Sequence, residues 1–431
     1  MTIFRQGHRK ALMLIGAAAA ATMLTVSGCS PTDATETGGS DGEDVTIEFA
    51  QWWEPELPDG EFRALIDKFE AENSGIKVKL VSGPYASTKE QLFAGAASGT
   101  IPDVVGLDGA WVSDFAGQGV IADLTALMDE AGYDDSELAS QIQIDGSTYM
   151  IPVVNFVYPM FTNDDLLAAA GVTAPPTNRT EFADAAKKIT AAGDASGWVL
   201  PLSLETPNGV QNDVMSWVWA SGGTMLADGK PDVTNADVTS AVNFISDLWD
   251  AETIAPGSFT MKEQDKVEEF TNARVGMMIS SLAHINLIRE SNPDLNFSIS
   301  AIPAEDGFTG ERGIPYASWG IGVAENSEHK DAAFKLVSFL MSEEINSELS
   351  TIANAFPGNT ESVPAFVEDD ELLKKAFDVY QAGYPANEFT GLPVAEELMR
   401  LFGEQLQGAL DGQQSIDEAL ENAQKAWEAE F

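Results

Sequence analysis

Between Val45 and Leu80 the apolar residues change period twice, and that change limits the folds open to this chain more than any other feature. Val45, Ile47 and Phe49 alternate with Thr46 and Glu48, the pattern of a strand with one covered face. From Glu61 to Asn73, Phe62, Leu65, Ile66 and Phe69 fall on one side of a helix. Ile76, Val78 and Leu80 then alternate with lysines as a second strand. Thr88 to Ala97, stopped by Gly99, predicts another helix before the short apolar strand Asp103 to Leu107. Strands and helices in that order predict an α/β fold whose sheet is covered by helices.

The pattern extends along the chain. Tyr149 to Tyr158 reads as an extended segment, Arg274 to Ile279 as a buried strand, and Phe297 to Ile302 as a further extended stretch. Helical spacing is expected over Glu181 to Ala192, Gln211 to Ala220, Ala236 to Ala251 and Asp265 to Asn272. Near the C-terminus it recurs over Lys330 to Met341, Glu343 to Thr351, Asp370 to Gln381 and Ile416 to Glu428. So long a chain exceeds what one hydrophobic core organises, so two lobes are expected.

At the N-terminus Arg5, His8, Arg9 and Lys10 precede an apolar run from Ala11 to Val26 that ends in Ser27-Gly28-Cys29. A basic start, a short apolar stretch and small residues before the cut predict a cleaved export segment over residues 1–28. Leu24 to Cys29 resembles the bacterial lipobox, which implies that Cys29 receives a diacylglyceryl group and that the mature protein is attached to the outer face of the cell membrane. Residues 29–44, rich in Ser, Thr, Gly and Asp with no large apolar side chain, are expected to be a flexible tether. Cys29 is the only cysteine, so no disulfide within one chain and no other thiol chemistry is available.

The chain has 68 acidic and 23 basic residues, a formal net charge of −45, and removal of the basic leader makes it more negative. With no basic stripe, nucleic acid is excluded as a partner. His8, His284 and His329 are the only histidines, which argues against a histidine-rich zinc site or a Ser-His-Asp hydrolase. No GxxxxGK[ST] loop is present and no cofactor is expected, so any ATPase belongs to another subunit.

Seven segments, in order, resemble the extracellular solute-binding proteins of carbohydrate ABC importers, the family of maltose-binding protein. Asn73 to Val78 is similar to the family's "PGIKV" turn, Gly99 to Val104 to its "G-x-x-PDV", and Asp145 to Pro152 to its "DGK-x-YG-x-P". Phe161 to Leu166 stands for "YYNKDLF", Phe270 to Met277 for "F-x-x-GKAAM", Glu325 to Leu340 for the "SKNPEAAWKFLKFL" helix entry, and Ser415 to Leu420 for "S-x-EEAL". The tryptophan of the family's "PP-x-TW-x-EF" is absent from Pro175 to Phe182. The resemblance implies a two-lobed periplasmic-binding-protein-like fold, with lobe one at 45–152 plus 275–318 and lobe two at 157–272 plus 322–431. It implies hinges near Ile151 to Tyr158 and Trp319 to Val323, a monomer that captures a sugar between the lobes, and delivery to membrane permease subunits. It implies no enzyme activity; an exported glycoside hydrolase, or a binder of peptide or polyamine, is the alternative.

A sugar presents apolar C–H faces and rings of hydroxyls, so its site needs flat aromatic platforms beside carboxylates and amides. Such residues cluster after predicted strands, where an α/β sheet opens onto its ligand. Trp52, Trp53 and Glu54 follow the first strand, and Asp108 and Trp111 follow the third. Asn155 and Tyr158 lie in the expected crossing, His284 follows the Met277 to Ile279 strand, and Trp319 lies beside the second crossing. Trp217 and Trp219 precede a Gly-Gly turn and cannot share a helix face, so one is expected to pack and the other to line the cleft; Asn208, Gln211 and Asn212 lie nearby.

Overall fold

The computed structural model describes residues 45–431 apart from Asp194 and Pro393. The leader, Cys29 and the tether fall outside the described residues.

The first strand–helix–strand unit forms as the apolar period requires. Val45–Gln51 and Ile76–Ser82 pair in parallel, Ile47 opposite Val78, and the helix Glu61–Glu72 connects them. Phe62, Leu65, Ile66 and Phe69 are its buried residues, each worth roughly 1.5–3 kcal/mol of transfer free energy. Gly60 starts this helix at φ +84°, a conformation costly for any residue with a Cβ.

Two main sheets result. An eight-stranded sheet runs in the order Phe356–Pro357, Ser147–Val157, Arg312–Val323, Val104–Leu107, Val45–Gln51, Ile76–Ser82, with Gly383–Ala386 and Ile142–Ile144 added at the side. A four-stranded sheet runs Phe297–Ser300, Met160–Asn163, Val275–Ile279, Ser196–Trp198. Ser147–Val157 in the first sheet leads through Tyr158 and Pro159 to Met160–Asn163 in the second. The return runs from Phe297–Ser300 to Arg312–Val323. At Gly320 the backbone approaches Met150 so closely that a Cβ would stand 2.0 Å from its methyl carbon, and the register of Arg312–Val323 against Ser147–Val157 shifts there.

Hydrogen bonding divides the chain differently from the expected boundaries. Val275–Ile279 and Phe297–Ser300, expected in lobe one, pair antiparallel with Met160–Asn163: Met277 lies opposite Thr162, and Ile299 opposite Phe161. Lys330–Leu340 and Glu343–Ala353, expected in lobe two, pack on strands of the first sheet. Trp319 to Val323, expected at a hinge, lie within a strand bonded on both sides, so the segment that links the sheets there is 301–311. The motifs located the elements; lobe membership depends on strand pairing, which periodicity does not encode.

Where the resemblance leads one to expect a tryptophan after Pro175-Pro176, Arg179 stands. Its guanidinium lies 5.5 Å from the Phe244 ring centre and donates to the Trp217 carbonyl at 2.8 Å and to Ser240 Oγ at 2.8 Å. A planar cation takes the flat packing role of an indole there.

Candidate functional site

A cleft opens where elements of both sheets meet, enclosing about 760 Å³ of atom-free space, mouth included. Trp52, Glu56, Tyr85, Asp108, Phe156 and Trp319 line it from the first sheet's elements. Thr206, Asn208, Gln211, Asn212, Glu263, Gln264, Ser281 and His284 line it from the second sheet's side, with Tyr158 at the link.

Strand ends build the first wall. Trp52 directly follows Val45–Gln51, and Asp108 follows Val104–Leu107, where its Oδ1 caps the turn Gly109–Trp111 by accepting from the Ala110 N–H at 2.9 Å. Tyr85 opens the helix Tyr85–Ser98 behind the second strand. The rings brace one another. Trp52 meets Tyr85 edge-on at 5.2 Å and Trp111 at 5.6 Å, while Trp319 stacks on Trp53 at 5.4 Å and meets Phe156 at 4.8 Å. Trp52 and Trp319 are only 4% and 3% exposed, so the cleft is nearly closed over them.

The second wall is polar. The π-turn Val210–Val214 carries Gln211 and Asn212, which are joined by a 3.1 Å hydrogen bond from the Gln211 amide. Gly209, just before it, has the Pro201 carbonyl oxygen 1.7 Å from where a Cβ would be, so only glycine fits. Glu263 opens the helix Glu263–Thr271. Behind it Lys266, fully buried, stands 3.0 and 3.2 Å from the carboxylate oxygens of fully buried Asp213 and 3.0 Å from Glu263 Oε2. Neither Glu263 oxygen has a well-aligned hydrogen-bond partner among the described residues, and neither has Thr206 Oγ1. Across the cleft Asn208 Nδ2 donates to Tyr85 Oη at 3.2 Å, and Tyr85 Oη donates to Asp108 Oδ2 at 3.1 Å.

The electrostatics follow from burial without countercharge. Burial, then the Glu263 carboxylate, push Glu56 up to about 8, against a hydrogen bond from Trp319. Burial raises Asp108 as well, partly offset by its hydrogen bonds from Ala110 and Tyr85. Tyr85 and Tyr158 are held neutral by burial and neighbouring carboxylates. Burial lowers His284 to about 4, so it is neutral and shares a 2.8 Å hydrogen bond with Ser280. Burial opposes both charges of the Asp213–Lys266 pair, but the close contacts with Asp213 and Glu263 hold the ammonium above its ordinary value, and the pair is ionic.

Of the residues singled out from sequence, Trp52, Asp108, Tyr158, His284 and Trp319 line the cleft, as do Asn208, Gln211 and Asn212, named as lying near Trp217 and Trp219. The others do not. Trp53 and Trp111 are buried behind Trp319 and Trp52 as their supports. Glu54 accepts from Ser82, and two residues before Glu56 in a three-residue-per-turn helix it leaves on a different face. Asn155 precedes Phe156 on a strand, and with Phe156 lining the cleft its neighbour faces the other way. Trp217 packs among Phe182, Trp198 and Phe244, and Trp219 is buried with its indole donating to Glu388 at 2.8 Å, so neither lines the cleft. Glu56, Tyr85, Phe156 and Glu263 were missed. Tyr85 had a usable signal, since it follows the end of the second strand as Trp52 follows the first.

Two α/β units and a ligand-sized cleft lined from both define the class of two-lobed periplasmic binding proteins. The chain belongs to the bacterial extracellular solute-binding protein family, whose sequence profile matches residues 54–346. A protein of Brucella abortus (strain 2308) designated a binding protein is 27% identical over 371 residues, 84% of this chain and 87% of the relative. The galactooligosaccharide-binding protein of Bacillus subtilis (strain 168) is 24% identical, with 94% of each chain covered. The GacH receptor of Streptomyces glaucescens GLA.O, solved unliganded and with acarbose, shares the fold at a TM-score of 0.74 and 23% identity, over 90% of this chain and 98% of that one. These relatives are binding proteins rather than enzymes, and no described helix is long and apolar enough to cross a membrane.

Proposed function

We propose that this chain is the substrate-binding subunit of a carbohydrate ABC importer, tethered outside the cell membrane through a lipid on Cys29. The observation that carries the reading is the pairing of an aromatic wall with an amide- and carboxylate-bearing wall, the two halves of a sugar-recognition surface. Lobe one comprises the first sheet with 45–157 and about 312–357; lobe two comprises the second sheet, 160–300, with the helices Ala395–Leu410 and Ile416–Glu428. The sugar stacks on Trp52 and Trp319, contacts with the second wall favour the closed state, and the monomer then docks on the permease. The galactooligosaccharide and acarbose named for its relatives support a saccharide ligand.

Calorimetry of residues 45–431 with mono- and oligosaccharides, peptides, polyamines and metal ions tests this. Saturable binding of a saccharide recovered unchanged is the expected result. Binding only of peptides or metals refutes the sugar assignment, and conversion of the sugar to product refutes the transport role.

A further inference from the structure

The charge of the cleft narrows the ligand beyond its being a sugar. Glu56 and Asp108 reach it from the first wall and Glu263 from the second, while no lysine or arginine lines it among the described residues. The nearest cations are already matched. Lys266 stands between Asp213 and Glu263, which leaves one formal negative charge on that trio. Lys89 pairs with Glu396. Neither Glu56 nor Asp108 forms an ion pair among the described residues.

Carboxylates facing one another in a nearly closed, aromatic-walled space are costly to leave charged and uncompensated. A neutral sugar donates hydroxyl hydrogen bonds to them but brings no countercharge. An ammonium group brings both, and it sits favourably over the faces of Trp52 and Trp319. Glu263 Oε2 stands 3.0 Å from Lys266, but neither Glu263 oxygen has a well-aligned hydrogen-bond donor among the described residues, and the buried Thr206 hydroxyl on the same wall has no partner there either, so a ligand donor has open acceptors to meet.

Resting on the sugar-binding reading, we propose that the physiological ligand is a saccharide with a free basic amine, held as an ammonium between Glu56 of the first wall and Glu263 of the second. The acidic surface of the whole chain concentrates cations near the cleft mouth and speeds their arrival.

Matched probes test this: glucose, N-acetylglucosamine and glucosamine, and the same three as β-1,4 and as α-1,4 disaccharides, titrated into residues 45–431 at pH 7. An amine member should bind on the order of tenfold or more tighter than its neutral and acetylated counterparts, the value of a charge-assisted hydrogen bond. Glu56→Gln should erase that preference while Glu54→Gln, outside the cleft, keeps it; circular dichroism checks that both variants fold. Neutral members binding as tightly as the amines, or an amine preference that survives Glu56→Gln, overturns the proposal and leaves the importer reading standing. Failure of every saccharide to bind overturns both.

Discussion

The two walls of the cleft are held in place by different physics. On the first, Trp52 and Trp319 are propped by Trp111 and Trp53, so their orientation depends on ring-on-ring packing at 5.4–5.6 Å, with Trp52 just past a parallel strand and Trp319 inside an antiparallel one. On the second, Glu263 is held by Lys266, itself fixed by Asp213, a chain of charges with no solvent contact at its centre. Packing gives a platform that tolerates many ring-shaped ligands. A charge chain gives a single aimed group, and it is unforgiving because each member needs the next.

The sharpest way to break that contrast is to cut the charge chain. Lys266→Met leaves Asp213 buried without its ammonium and should destabilise the fold by about 3–5 kcal/mol in urea unfolding, whereas Asp213→Asn combined with Lys266→Met should recover most of it. A single variant within about 1 kcal/mol of the parent would show that the second wall does not depend on the pair. Removing a prop from the other wall, by Trp53→Ala, should cost about 3 kcal/mol by opening a cavity behind Trp319. By contrast Trp52→Ala, at the cleft face, should weaken sugar affinity by about 10–100-fold in calorimetry. Unchanged affinity would remove Trp52 from the platform.

That contrast also explains what was legible in the sequence. The first wall was, because a strand end is visible in period-two alternation and an aromatic or acid just past it is conspicuous: Trp52 and Asp108 were found that way, and Trp319 by its place beside the expected second crossing. Support could not be told from surface, since Trp53 and Trp111 share that address and differ only in which side of a turn they leave. The second wall was largely hidden. Glu263 is one of 68 acids; Lys266 follows it by three residues on the same helix, but only the fold brings the two beside Asp213, His284 and the cleft. Trp217 and Trp219 misled because the π-turn Val210–Val214 rotates the helix that follows, burying both indoles and presenting Gln211 and Asn212 instead.

A smaller effect probes a direct link between the walls. Asn208→Ala removes the hydrogen bond to Tyr85 and should cost about 1 kcal/mol of closure, read as a larger radius of gyration of the unliganded protein in X-ray scattering and a roughly fivefold weaker affinity. An unchanged scattering profile would show that the walls approach without it.

The smallest effect is the response to pH, in which the walls have opposite signs. His284 has a folded pKa lowered from 6.5 to about 4, so the unfolded chain binds more protons between those values and this group makes stability rise with pH until about 6.5, then level off. Glu56 is raised from 4.5 to about 8, so the folded chain binds more protons across that window and stability falls as pH increases through it. Above pH 6.5 the Glu56 slope stands without the opposing histidine. Raising the pH from 6.5 to 8 should therefore lower the melting temperature of the parent more than that of Glu56→Gln, by about a degree or two. Equal shifts would mean that the first wall carries its carboxylate ionised and already compensated, and the charge asymmetry between the walls would disappear.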